Sequence, residues 1–210
     1  MLFVWYKVSF DEKWSHGSAV CETVYFFVEF VCVFPWKCVS LNNQNRGKIM
    51  DGILRKLPIG IQTFEKLREG DYLYVDKTAL VWRIASTETP YFLSRPRRFG
   101  KSLLLSTFEA YFEGKKELFE GLAIADMEKE WKTYPLFHLD LNAEKYDSPQ
   151  ALVEILSRQL TQWELKYGKG EDEETLSGRF AGVIRRACEQ SGRGVVVLVL
   201  SLIHISEPTR

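Results

Sequence analysis

The chain of 210 residues has no net charge, because 28 Lys and Arg are matched by 28 Asp and Glu. It therefore has no long-range basic field to draw it toward nucleic acid or an anionic membrane. It also lacks a long apolar run. The most apolar early stretch, Val24 to Trp36, is short and is broken by Glu29, whereas a membrane span needs about 20 largely apolar residues. No basic opening followed by a small-residue cleavage site marks a signal peptide. The expectation is a cytoplasmic protein with no membrane partner. Cysteine is scarce: Cys21, Cys32, Cys38 and Cys188 show no C-x-x-C spacing. That argues against a zinc site or a disulfide framework and for free thiols in a reducing compartment. Neither an internal repeat nor a low-complexity segment is present.

What the chain does contain falls into three zones. Residues 1–49 are crowded with Phe, Trp, Tyr, Val and Cys in no sustained period, and close on the polar stretch Leu41-Asn42-Asn43-Gln44-Asn45-Arg46-Gly47. This zone is expected to be a non-native or disordered leader, with Met50 as the true start. Residues 50–199 read as an ordinary α/β protein. The last zone, Leu200 to Arg210, matches one reading frame of a common transposase sequencing adapter. It is expected to be a library artefact that interrupts the coding sequence after Val199, and it is set aside as a fusion scar would be.

Within the middle zone, the polar stretch ending at Pro90 reads as a turn. Tyr91-Phe92-Leu93-Ser94 follows as a short strand. Leu103, Leu104, Thr107, Phe108 and Tyr111 recur at helical spacing, which predicts a helix from Ser102 to about Glu113 with Gly114 as its stop. Leu118 to Lys129 reads as helical with an interruption at Gly121, and Pro135 to Leu141 as a second strand. Ser148-Pro149 opens a helix to about Tyr167, with Ser148 as N-cap and Pro149 in the first turn. Leu176 to Gln190 is a further helix. Val195 to Val199 is the uninterrupted apolar run of a buried parallel strand. Strands alternating with helices imply a parallel sheet covered on both faces, here incomplete at its C-terminal side. The fold class expected is α/β, a partial P-loop-type parallel sheet flanked by helices.

Between the first strand and its helix stands Arg95-Pro96-Arg97-Arg98-Phe99-Gly100-Lys101-Ser102. Its last three residues fill the end of the phosphate-binding pattern G-x-x-x-x-G-K-[ST], and Arg95 stands where the first glycine would be. Each residue type has a physical use there. Consecutive backbone N–H groups and the positive end of a helix suit a phosphate. Gly100 permits close backbone approach, Lys101 supplies a compact cation, and Ser102 offers a hydroxyl to Mg²⁺. Arg97 and Arg98 add charge that a polyphosphate or a nucleic-acid backbone can use. Two functions follow: a nucleotide-binding module, or a nucleic-acid element using the same cations. A fragment that does not fold stably is the third alternative.

Leu57 to Gln62, Phe64, Tyr72 to Thr78 and Phe92 to Ser102 together resemble the bacterial AAA-ATPase-like family, as do Phe137-His138-Leu139-Asp140 and the strand from Gly194 to Val199. Arg95 in place of the first glycine is typical of that family. The resemblance implies ATP and Mg²⁺ as cofactors, with a PD-(D/E)XK nuclease-like domain often following, through which nucleic acid would be a partner. It also implies an Asp-Glu pair after Val199, where Leu200 and Ser201 stand instead, so this polypeptide is expected not to hydrolyse ATP at a useful rate. Tyr72 to Thr78 is expected to be a helix-capping turn with core tyrosines rather than a contact to the base. Asp76 and Lys77 are expected to pair with each other or with solvent. Asp140 and His138 are read as structural, Trp131 and Trp163 as packing residues, and Glu171 to Glu174 as a solvated loop.

Overall fold

The computed structural model describes residues 2–8, 55–87, 90–93, 99–141, 149–170 and 173–201, with the backbone alone at 2–8, 149 and 201. In chain order the elements are β1 (Leu2–Val8), α1 (Phe64–Glu69), α2 (Thr78–Ala85), β2 (Tyr91–Phe92) and α3 (Lys101–Phe112). A 3₁₀ turn (Lys116–Phe119), α4 (Ala123–Met127), β3 (Leu136–Asp140), α5 (Pro149–Tyr167), α6 (Leu176–Ser191) and β4 (Val195–Ser201) follow. The interruption expected at Gly121 separates the 3₁₀ turn from α4, because Gly121 takes a left-handed conformation with φ of 72°. The short helix α1 was not anticipated, and α2 only through the helix-capping turn expected at Tyr72 to Thr78.

The strands form one sheet in the order β2-β1-β4-β3. β3 and β4 pair in parallel from Leu136↔Val196 to Asp140↔Leu200. β1 lies antiparallel to β4, from Leu2↔Ser201 to Val8↔Val195, and antiparallel to β2 through Val4↔Phe92 and Trp5↔Tyr91. β2, β3 and β4 therefore share one direction, as expected of a parallel sheet, while β1 runs against them. The sequence Leu-Phe-Val-Trp-Tyr-Lys-Val is dense in strand-favouring residues, but the surrounding zone has no period to mark it off. The rest of the expected leader, residues 9–54, lies outside the described residues, as do Ser148 and residues 202–210 of the expected artefact; Leu200 and Ser201 continue β4.

The sheet is covered on both faces, and β4 shows it residue by residue. Val196, Leu198 and Leu200 join Leu105, Phe108, Phe112, Phe119 and Ile124 in one core. Val195, Val197 and Val199 join Phe137, Leu139, Trp163, Val183 and Ala187 in the other. A strand buried on both sides reads as continuous hydrophobics, which is why it was legible. The first core is aromatic: Phe64 packs on Phe119 at 4.9 Å and Trp131 on Phe119 at 5.2 Å between centroids. In the second, Trp163 meets Phe137 edge-on at 4.8 Å. Both tryptophans are packing residues. Cys188 is a buried free thiol whose pKa burial pushes up.

Candidate functional site

The shared direction of β2, β3 and β4 brings their carboxyl ends to one end of the sheet. In open α/β sheets ligands settle in that region. Phe92 ends β2, Asp140 ends β3 and Ser201 ends β4. From β2 the chain leads through residues 94–98 to Gly100 and α3. Arg95, Pro96, Arg97 and Arg98 of the expected site lie outside the described residues. Phe99 is exposed. Gly100 caps α3 with φ 71° and ψ 27°, a left-handed conformation that disfavours any side chain. Among the described residues, a Cβ built on it meets nothing within 4 Å. Its carbonyl accepts from Leu104 N–H at 2.9 Å and so begins the helical ladder.

Lys101 is the first residue of α3 and only 4% exposed. The N-terminal end of a helix carries partial positive charge, which favours an anion placed there. Ser102 follows it, partly buried. The cap is a glycine with no side chain to satisfy the first-turn N–H groups. By contrast, Thr175 Oγ1 at the start of α6 accepts from Gly178 N–H at 3.0 Å.

The helix bearing this turn is anchored along its length. Ser106 Oγ accepts from Phe64 N–H at 2.8 Å and donates to Leu103 O at 2.9 Å. Thr107 Oγ1 donates to Leu103 O at 2.8 Å. Tyr74 packs edge-on against Phe64, and burial pushes its phenol up to about 12, partly offset by its bond with Thr107. On the sheet side, His138 Nδ1 lies 2.6 Å from Glu109 Oε1.

Asp76 corrects the expected pairing with Lys77 or solvent. Its Oδ1 accepts from Thr78 N–H at 2.8 Å and Thr78 Oγ1 at 2.7 Å, which caps α2, and its Oδ2 accepts from Ala123 N–H at 2.7 Å. Thr78 Oγ1 in turn accepts from Ile124 N–H at 3.1 Å. Every polar atom of the pair is spent on ordering α2 and α4, which agrees with a capping turn. Glu173 is a second correction. It was expected in a solvated loop, yet its side chain is 11% exposed and grips Arg186 at 2.6 Å. The cue was thirteen residues away and not local. Glu171 and Asp172 lie outside the described residues.

Among the described residues no group of three or more His, Cys, Asp or Glu is placed to hold a metal. A divalent ion here would depend on Ser102 and the nucleotide itself. A cleft of about 490 Å³ opens at the opposite, amino end of β3 and β4, lined by Tyr134, Lys166, Tyr167, Gln190 and Arg193 among others. Two of its polar side chains are engaged with backbone: Arg193 donates to Thr133 O and Gln190 to Tyr167 O. No described helix is long and apolar enough to cross a membrane.

A mixed α/β domain, with a Gly-Lys-Ser turn opening a helix beside the carboxyl ends of its strands, is the class these features define. The chain belongs to the AAA-ATPase-like family, described as a predicted AAA-ATPase, whose model matches residues 58–200. The family's description points in general to ATP as the ligand. The chain is also similar to the "Uncharacterized protein in vnfD 5'region" of Azotobacter chroococcum mcd 1, at 42% identity over 146 residues. That alignment covers 69% of this chain and 28% of the relative, so the chain spans well under a third of that protein's length. No solved structure matches.

Proposed function

We propose that this chain is the nucleotide-binding part of a P-loop ATPase, with ATP phosphates held by the degenerate Walker A loop from Arg95 to Ser102. The observation that carries the reading is the turn into α3: a left-handed Gly100 followed by a buried Lys101 as the first residue of a helix. That arrangement suits a polyphosphate for two reasons. Backbone N–H groups at a helix start need acceptors that a glycine cap does not supply. A lysine ammonium is a compact cation able to reach the β- and γ-phosphates. Ser102 would complete the Mg²⁺ shell through its hydroxyl, and Mg²⁺ when bound supplies charge neutralisation of the β- and γ-phosphates.

The whole family protein is proposed to hydrolyse ATP, using a carboxylate pair beyond Val199 and carrying a nuclease-like domain farther on. In this chain Leu200 and Ser201 end β4 where such a pair would stand, so binding without useful turnover is the outcome proposed. Titration with ATP and Mg²⁺ tests it. The wild-type chain should bind ATP in competition with ADP, and Lys101→Ala should weaken ATP by about a hundredfold, on the order of two charge-assisted hydrogen bonds. Equal ATP affinity in Lys101→Ala would remove the reading. Binding of DNA with a steep salt slope, and no competition by ATP, would favour the nucleic-acid alternative. Turnover abolished by Lys101→Ala would overturn the proposed inactivity.

A further inference from the structure

We infer that the His138–Glu109 pair is a positioning latch that sets where α3 presents Gly100 and Lys101. The inference rests on the nucleotide-binding reading for its function, though not for its geometry. Glu109 lies in the third turn of α3, roughly 12 Å along the axis from Lys101 at about 1.5 Å per residue. His138 lies on β3, two residues before the strand's carboxyl end at Asp140. Much of the described contact between α3 and this side of the sheet is apolar, with Leu105, Phe108 and Phe112 in one cluster with Val196, Leu198 and Leu200; a backbone bond from Tyr134 N–H to Phe112 O at 2.9 Å ties the far end of the helix just ahead of β3. Apolar contact is non-directional and tolerates small sliding and rotation of a helix. A bond of 2.6 Å between a ring nitrogen and a carboxylate oxygen does not.

The residue type supports a bonding role over mere space filling. His138 Nε2 is covered and makes no hydrogen bond, a cost that a leucine in the same place would avoid. Among the described residues, the side chain's polar attachment is the single bond to Glu109. Both side chains are largely covered, His138 at 33% and Glu109 at 26% exposure, so water competes weakly for the bond. One change therefore removes this side-chain link between the middle of the phosphate-loop helix and β3.

The test uses the full chain with four variants. These are His138→Leu, His138→Asn, Glu109→Ala and the double Glu109→Ala/His138→Leu. ATP affinity with Mg²⁺ is measured at a temperature where circular dichroism shows each variant folded. Amide hydrogen exchange is followed over the first two turns of α3. His138→Leu and Glu109→Ala should each weaken ATP by about tenfold, the scale of one lost hydrogen bond to a charged group, and should speed exchange at Leu104 and Leu105. The double variant should be no worse than either single. His138→Asn, which keeps an N–H near the Nδ1 position, should recover to within about threefold of wild type. A role confined to global stability would lower the unfolding midpoint and leave the affinity of folded protein unchanged, and that result overturns the latch. If His138→Leu does not fold, Glu109→Ala on the helix surface decides alone. If wild type binds no ATP, the nucleotide reading falls, and exchange decides the latch: unchanged rates in α3 sink it, faster rates uphold it.

Discussion

On the α3 face of the sheet, polar side chains reach for backbone. Arg68 donates from Nε to Leu118 O at 2.7 Å and from Nη2 to Glu120 O at 2.6 Å, and Asp76 and Thr78 hold the start of α4. On the opposite face, arginines reach for carboxylates. Arg179 Nε meets Glu164 Oε1 at 2.7 Å, and its Nη1 donates to Ser157 Oγ at 2.8 Å. Arg186 makes a fork with Glu173, at 2.6 and 3.0 Å. The contrast separates two jobs. The α5–α6 hairpin is closed on itself by covered ion pairs, so losing one partner strands the other in a place where water is scarce. The α3 face is tied at scattered points, backbone carbonyls and N–H groups as well as the Glu109 carboxylate.

The sharpest break of this comparison is Arg179→Ala. Arg179 is 13% and Glu164 6% exposed, so removing the guanidinium leaves a covered carboxylate unpaired and should cost about 3–5 kcal/mol. Denaturant unfolding measures it, and a loss below about 1 kcal/mol would put this pair with ordinary surface pairs. Acid extends the contrast. The hydrogen bond from Arg179 holds Glu164 below the usual carboxylate range, and that from Arg186 does the same for Glu173, each against the opposing effect of burial. A depressed folded pKa gives stability that is complete above the unfolded value, about 4.3, and is lost as pH falls through the folded one. Unfolding measured from pH 5 down to about 2 should show that loss in wild type and a shallower slope in Arg179→Ala. Asp76→Ala should cost about 1–3 kcal/mol by orphaning Thr78 and Ala123 N–H groups, with ATP affinity of the folded protein unchanged. A fall in affinity would move Asp76 from capping to the nucleotide. The smallest effect is expected for Thr175→Ala, which removes the cap of α6 and should cost about 1 kcal/mol in thermal or denaturant unfolding.

Legibility in the sequence followed the range of the forces involved. α6 could be read because Phe180, Val183, Ile184, Ala187 and Cys188 recur at helical spacing, and β4 because five apolar residues run together. The Gly-Lys-Ser turn was legible as a motif, and Gly100 and Lys101 stand at the start of a helix. Glu173, Asp76 and His138 were given local or bland surroundings, and their partners lie at Arg186, Ala123 and Glu109. No period or motif announces a partner that only the fold brings near. α1 escaped notice, and α2 was signalled only by its capping turn, for a different reason: six and eight residues are too few to show a periodic pattern.

The pairing of Leu2 with Ser201 carries a consequence for the order of folding. β1 sits between β2 and β4, and its seven-residue ladder with β4 joins positions far apart along the chain. Until that long loop closes, β1 has only the two-residue edge of β2 to lean on. Its seating therefore waits on the most distant closure of the sheet, a slow step during which an apolar ribbon stands open to other extended hydrophobic chain.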